Sequence, residues 1–208
     1  MTNRGHEHGF DVKKQDEWLR SLAGISESIP IAVAVCDIDN FLGINTAHGH
    51  DVGDVVLRVW ERTLAGSVPG DALVGRIGGD EYAVALPETS TESALIVMEE
   101  IRAHFAAHPP TPKVGPVSVS IGIAARPPHA KTPDELLAAA KEGLMRAKRE
   151  GRNRIAIYVE EKMTLKSNYY TRGGLDRLAR LSATTSRTEA SLLREALDDL
   201  LAKYQDET

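Results

Sequence analysis

Residues 31–36, IAVAVC, are apolar without interruption and rich in β-branched side chains, and the chain passes from them straight into Asp37-Ile38-Asp39. A run this short with no polar face reads as a strand buried on both sides, the kind found inside an α/β sheet with helices over it. It sets two acidic groups at the C-terminal end of a buried strand. Few folds accommodate that arrangement, and the remaining elements have to supply its cover.

They do so in mixed order. Residues 11–27 form a periodic entry helix with Trp18, Leu19 and Leu22 on one side, and residues 51–65 form an amphipathic helix with Val52, Val55, Val56, Val59 and Leu64 as its inner stripe. Two short strands, 73–77 and 82–86, flank Gly78-Gly79-Asp80-Glu81 as a hairpin with carboxylates at its tip. A helix over 91–106, a strand over 117–124, a helix opened by Pro133 and running to 149, and a strand over 154–159 complete an α/β pattern with a covered central sheet. Beyond it, residues 163–171 read as a short strand, and 175–183 and 188–203 as two helices.

Composition limits the functional classes. The 208 residues are 42% hydrophobic and 26% charged, enough for a sizeable core, and the formal charge of −5 argues against a protein basic throughout that wraps a polyanion. The single cysteine, Cys36, excludes an intramolecular disulfide and fits a reducing compartment. No 18-residue apolar stretch is present and the start, MTNRGHEHGF, has no apolar signal region, so a cytoplasmic protein with no membrane partner is expected. His6 and His8 fall in a polar tail, which with the entry helix makes up residues 1–27.

The carboxylates point to phosphoryl chemistry. Asp37 at a strand end and Asp80 in a glycine-flanked turn can converge beside a sheet edge, and paired carboxylates suit Mg²⁺, a hard ion that also bridges substrate phosphates. Gly78 and Gly79 permit close backbone approach and unusual dihedrals, while Glu81 stands where it could deprotonate a hydroxyl. The same residues would also make an ordinary hairpin with solvated acids. Residues 141–154 carry six basic and two acidic residues, and Lys148 and Arg152 near that helix end can reach phosphates; a solvated helix face is the alternative.

The ordered set DIDNF (37–41), IN (44–45), GHDVGD (49–54), RIGGDEY (76–82), VSIGIA (119–124) and AKREGRN (147–153) resembles the GGDEF-domain diguanylate cyclases over residues 28–160. The resemblance implies a polymerase-palm-like α/β fold in which two GTP-loaded domains meet face to face to form cyclic di-GMP and two pyrophosphates. It implies Asp37, Asp80 and the backbone carbonyl of Ile38 as ligands of Mg²⁺ or Mn²⁺, and Glu81 as the group that activates the GTP 3′-hydroxyl. Asn45 and Asp54 would read the guanine edge, Gly79 would admit the substrate, and Lys148 and Arg152 would hold its phosphates. Tyr82, Leu42, Thr46, Lys141 and Met145 replace the family's common Phe, Lys, Asp, Asp and Tyr. Pro69 and Ala72 stand near the positions of its inhibitory Arg-x-x-Asp pair, so inhibition by product at that place is not expected.

Residues 161–187 hold six basic and two acidic residues, and 188–208 hold two basic and six acidic ones. The stretch 166–204 resembles a ribbon-helix-helix domain, which implies a unit over 163–204 that dimerises by strand pairing and lays its ribbon in the major groove of double-stranded DNA. Lys166, Asn168 and Tyr170 would then read bases, with Ser167, Tyr169 and Thr171 on the other side, and Arg172 and Arg187 would contact phosphates; the opposite facing is also open. A helical dimerisation tail is the alternative. The combined expectation is a homodimeric cyclase coupled to transcription, with a non-catalytic, guanine-nucleotide-sensing DNA-binding regulator as the second reading.

Overall fold

The computed structural model describes residues 12–159, 169–185 and 187–204. The chain separates into two compact units, Met1–Glu161 and Lys162–Thr208.

The first unit is organised around β2 (Ile31–Ile38), whose residues from Ile31 to Cys36 are fully buried. The period of two along a strand sends Ile31, Val33 and Val35 to one face and Ala32, Ala34, Cys36 and Ile38 to the other. On the first face they meet Trp18 and Leu22 of α1 (Gln15–Ala23) and Leu136, Ala140 and Leu144 of α5 (Pro133–Arg149). On the second they meet Trp60 and Leu64 of α3 (His50–Ser67) and Met98 and Phe105 of α4 (Thr91–Ala107). Each large side chain buried this way contributes roughly 1.5–3 kcal/mol, which is why the apolar run dictates the centre of the sheet.

Six strands are hydrogen-bonded in the order β1-β3-β4-β2-β5-β6. β2 runs antiparallel to both β4 (Glu81–Pro87) and β5 (Val119–Arg126); β3 (Leu73–Arg76) pairs antiparallel with β4 as the expected hairpin. The two outer strands, β1 (Lys13–Lys14) and β6 (Ile155–Ile157), run parallel to their neighbours. Here the expected covered sheet is corrected: helices pack on its faces, but the sheet is open and does not close on itself, ending in strands of two and three residues that each pair on one side only.

Two local features position the site. A Cβ on Gly122 of β5 would lie 1.9 Å from the backbone nitrogen of Leu144, so α5 sits directly on the strand, closer than any side chain allows. A capping box between Thr132 and Glu135, with Pro133 in the first turn, starts that helix. The second feature is α2 (Phe41–His48), which the sequence pattern does not announce. Its eight residues include Gly43, Asn45 and Thr46, weak helix formers with no apolar stripe, and it forms where it packs against α3.

The second unit holds α6 (Arg172–Thr185) and α7 (Glu189–Tyr204). Among its described residues there is no strand, which overturns the ribbon-helix-helix expectation. The local reason lies at Thr171: its Oγ1 accepts from the backbone N–H of Gly174 at 3.2 Å, so Thr171 caps α6 instead of ending a ribbon. Lys166 and Asn168 lie outside the described residues. Among the described residues no helix is long and apolar enough to cross a membrane.

Candidate active site

The antiparallel register of β2 and β4 sets Asp37 opposite Glu81, and the N–H of Ile38 donates to the carbonyl of Asp80 at 3.4 Å. Asp37 thus shares one end of two neighbouring strands with Asp80 and Glu81, more than forty residues further along the chain. α5 brings two lysines to them: Lys148 Nζ lies 2.7 Å from Asp37 Oδ2, and Lys141 Nζ lies 3.2 Å from Glu81 Oε2. The lysines are seven residues, about two turns, apart and therefore share a helix face. Burial pushes the Asp37 carboxyl above the usual carboxylate range; Lys148 draws it back, and the like charges of Asp80 and Glu81 add to the rise.

This donor set fits a divalent cation. Two carboxylates and the backbone carbonyl of Ile38 are hard oxygens, and a cation there would relieve both the burial of Asp37 and its repulsion by its neighbours. Among the described residues no three acidic, histidine or cysteine side chains already converge to hold an ion by themselves.

Asn45 and Asp54 stand on the α2–α3 pair. Gly53 lets the two helices meet: a Cβ there would fall 1.9 Å from Asn45 Oδ1, and that oxygen is buried without a hydrogen-bond partner. The oxygen lies against Gly53, the neighbour of the exposed Asp54, and a buried acceptor left without a partner is costly unless something fills the place. Gly79 corrects one expectation. It does not adopt a left-handed backbone, and a Cβ on it would meet nothing within 4 Å, so the open space in front of the turn is what this glycine preserves. Arg152 follows the end of α5 with φ 63°, its N–H donating to the carbonyl of Ala147 at 3.0 Å.

Sequence reasoning missed three supporting residues. Asp39, 8% exposed, accepts from Ser118 Oγ and Ser120 Oγ, both at 2.7 Å, and from the N–H of Asn153 at 3.1 Å, pinning the segment that follows Arg152. Its only signal was its place two residues beyond Asp37. Arg76 donates from Nε to the carbonyl of Gly79 at 3.1 Å and lies over the Tyr82 ring, while Tyr82 donates its hydroxyl to Glu61 at 2.8 Å. Burial, then Glu61, pushes that hydroxyl's pKa above the ordinary tyrosine range, making it a weaker acid. The hydroxyl that Tyr82 adds thus has a partner, on α3.

Among the described residues the proposed DNA contacts do not assemble, so DNA binding, a double-stranded DNA partner and coupling to transcription are corrected along with the ribbon. Tyr170 lies in no strand, and Arg172 is the first residue of α6. Arg187 is engaged within its own unit by Glu195 at 2.5 Å and Ser191 Oγ at 3.3 Å, which leaves it committed to the α6–α7 turn.

A family model for the diguanylate cyclase GGDEF domain matches residues 14–154. The response regulator PleD of Caulobacter vibrioides is 40% identical over 130 residues, covering 61% of this chain and 29% of that protein. The probable diguanylate cyclase DgcC of Escherichia coli is 38% identical over 127 residues, covering 59% of this chain and 33% of the relative. The chain therefore spans about a third of these curated relatives. The solved GGDEF domain of PA1120 from Pseudomonas aeruginosa superposes with a TM-score of 0.66 at 32% identity, covering 73% of this chain and 99% of that one. The active GGEEF domain of a Vibrio cholerae diguanylate cyclase gives 0.66 at 28% identity, covering 72% and 99%. With the hairpin tip, the strand-end aspartate and the helix lysine all in place, the chain belongs to the GGDEF-domain diguanylate cyclase family.

Proposed function

We propose that the chain is a Mg²⁺-dependent diguanylate cyclase, with residues 28–160 as its catalytic domain and the segment before it as support, acting as a homodimer on GTP in the cytoplasm. The observation that carries this reading is the half-buried Asp37, grouped with Asp80 and Glu81 and countered by Lys148. Asp37, Asp80 and the Ile38 carbonyl would hold Mg²⁺, or Mn²⁺, with phosphate oxygens of the substrate completing the shell. When bound, the ion would neutralise charge developing on the α-phosphate.

The chain's own residues would do the rest. Asn45, whose Oδ1 lacks a partner, and Asp54 would accept from the guanine N–H edge, a pattern adenine does not offer. Lys148 would exchange Asp37 for phosphate oxygen, with Arg152 beside it, and the space before Gly79 would admit the triphosphate. Glu81 would take the proton from a 3′-hydroxyl as that oxygen attacks the α-phosphate of the second GTP and pyrophosphate leaves. Two such steps across the facing domains close cyclic di-GMP and release two pyrophosphates.

Incubation of the purified chain with GTP and Mg²⁺, followed by chromatography of the nucleotides, tests the reading. Cyclic di-GMP is expected from the wild type and not from Asp37→Ala or Glu81→Ala. Absence of product from the wild type, or unchanged product from both variants, overturns it.

A further inference from the structure

α7 carries Leu193, Leu197, Leu200, Leu201 and Tyr204, all between 38 and 54% exposed. Their spacing of four, three, one and three residues places them on one side of the helix, a continuous apolar stripe about three turns long. That side is not the one that packs within the unit. The buried side chain of α7 among the described residues is Leu192, which points about a third of a turn away from the stripe. The neighbouring α6 leaves Leu175 and Leu181 exposed as well. A helical pair of this size gains little from its own core, and an aligned apolar face is an association surface, not scattered surface leucine.

We infer that this stripe is the contact face for a second copy of the same chain, packed antiparallel, α7 against α7. The charges at its two ends select that partner and that direction. Glu189 lies in the first turn of α7 and Lys203 in the last, both exposed and both flanking the apolar side. A two-fold axis near Leu197 sets Leu193 of one copy by Leu201 of the other and brings each Glu189 to the other copy's Lys203, so both pairs form at once. A parallel arrangement would oppose like charges at both ends. Opposed helix dipoles favour the antiparallel pair further. The contact is self-complementary and does not depend on whether the chain turns GTP over.

Sedimentation equilibrium of the full chain without nucleotide tests this. A dimer is expected for the wild type, and a monomer for Leu197→Glu/Leu200→Glu. Glu189→Lys, which opposes like charges at both ends, is expected to weaken the dimer about fivefold. Glu189→Lys/Lys203→Glu is expected to recover most of that loss, although the double change places both charges unfavourably for the helix dipole and so cannot act by stabilising α7 itself. A monomeric wild type, a Leu197→Glu/Leu200→Glu protein that dimerises as the wild type does, or a double charge swap weaker than the single one overturns the inference. Product assays on the same samples separate this result from the cyclase reading.

Discussion

Lys141 Nζ lies 3.2 Å from Glu81 Oε2, a cation from α5 resting on the carboxylate that the proposed reaction needs as its proton acceptor. The pair is partly solvated, so it restrains Glu81 by about 0.2–1 kcal/mol rather than locking it. Glu81 must leave Lys141 to turn toward a 3′-hydroxyl. Lys141→Ala is therefore expected to raise kcat by about two- to fivefold with little change in KM for GTP, as measured by initial rates of pyrophosphate release. A fall in kcat would place Lys141 among the groups that assist the reaction.

Asp37 links the site to stability. Its folded-state carboxyl titrates above the ordinary range, chiefly through burial, so its ionisation is a cost to the fold. The sign follows: the metal-free protein gains stability as pH falls through the folded-state value of Asp37 toward the unfolded one, and loses it again as pH rises. Asp37→Asn is expected to melt about 2 °C above the wild type at neutral pH in EDTA. Added Mg²⁺ should narrow or reverse the difference, since only the wild type keeps the carboxylate proposed to hold the ion. Melting curves at neutral and mildly acidic pH, with and without Mg²⁺, would decide it.

Asp39 holds three donors from two segments, two serines around the start of β5 and the backbone that follows α5. Its replacement by Ala strands Ser120 in the core and releases the N–H of Asn153, whose φ is 48°. A loss of about 3 kcal/mol in urea unfolding is expected. Asp39→Asn, which keeps the shape and an acceptor, should cost less than half as much while raising KM for GTP through the Arg152 segment.

Arg76 and Tyr82 separate two effects. Tyr82→Phe removes the donor to Glu61 and should cost about 1 kcal/mol with kcat unchanged, because the ring under Arg76 remains. Arg76→Ala frees the Gly79 carbonyl and should lower kcat about tenfold, the turn that carries Asp80 then being no longer held. Equal kcat in both variants would show that the turn needs no such support.

The residues themselves determined the centre of the fold and the chemistry of its edge. The IAVAVC run has to be a buried strand, its end has to present Asp37, and the glycine-flanked hairpin has to present Asp80 and Glu81, because periodicity and turn chemistry are local properties. The tertiary structure decided what those acids face. Strand register sets Asp37 opposite Glu81, and the glycine contact of α5 with β5 delivers Lys141 and Lys148; neither leaves a local pattern, because each depends on partners far along the chain, while α2, weak in helix formers, packs on α3 and the core. The C-terminal segment shows the same limit from the other side. Its leucines announced two helices, but residues 169–171 carry too little pattern to tell a strand end from a helix cap, and the hydrogen bond from Gly174 to Thr171 makes Thr171 the cap of α6.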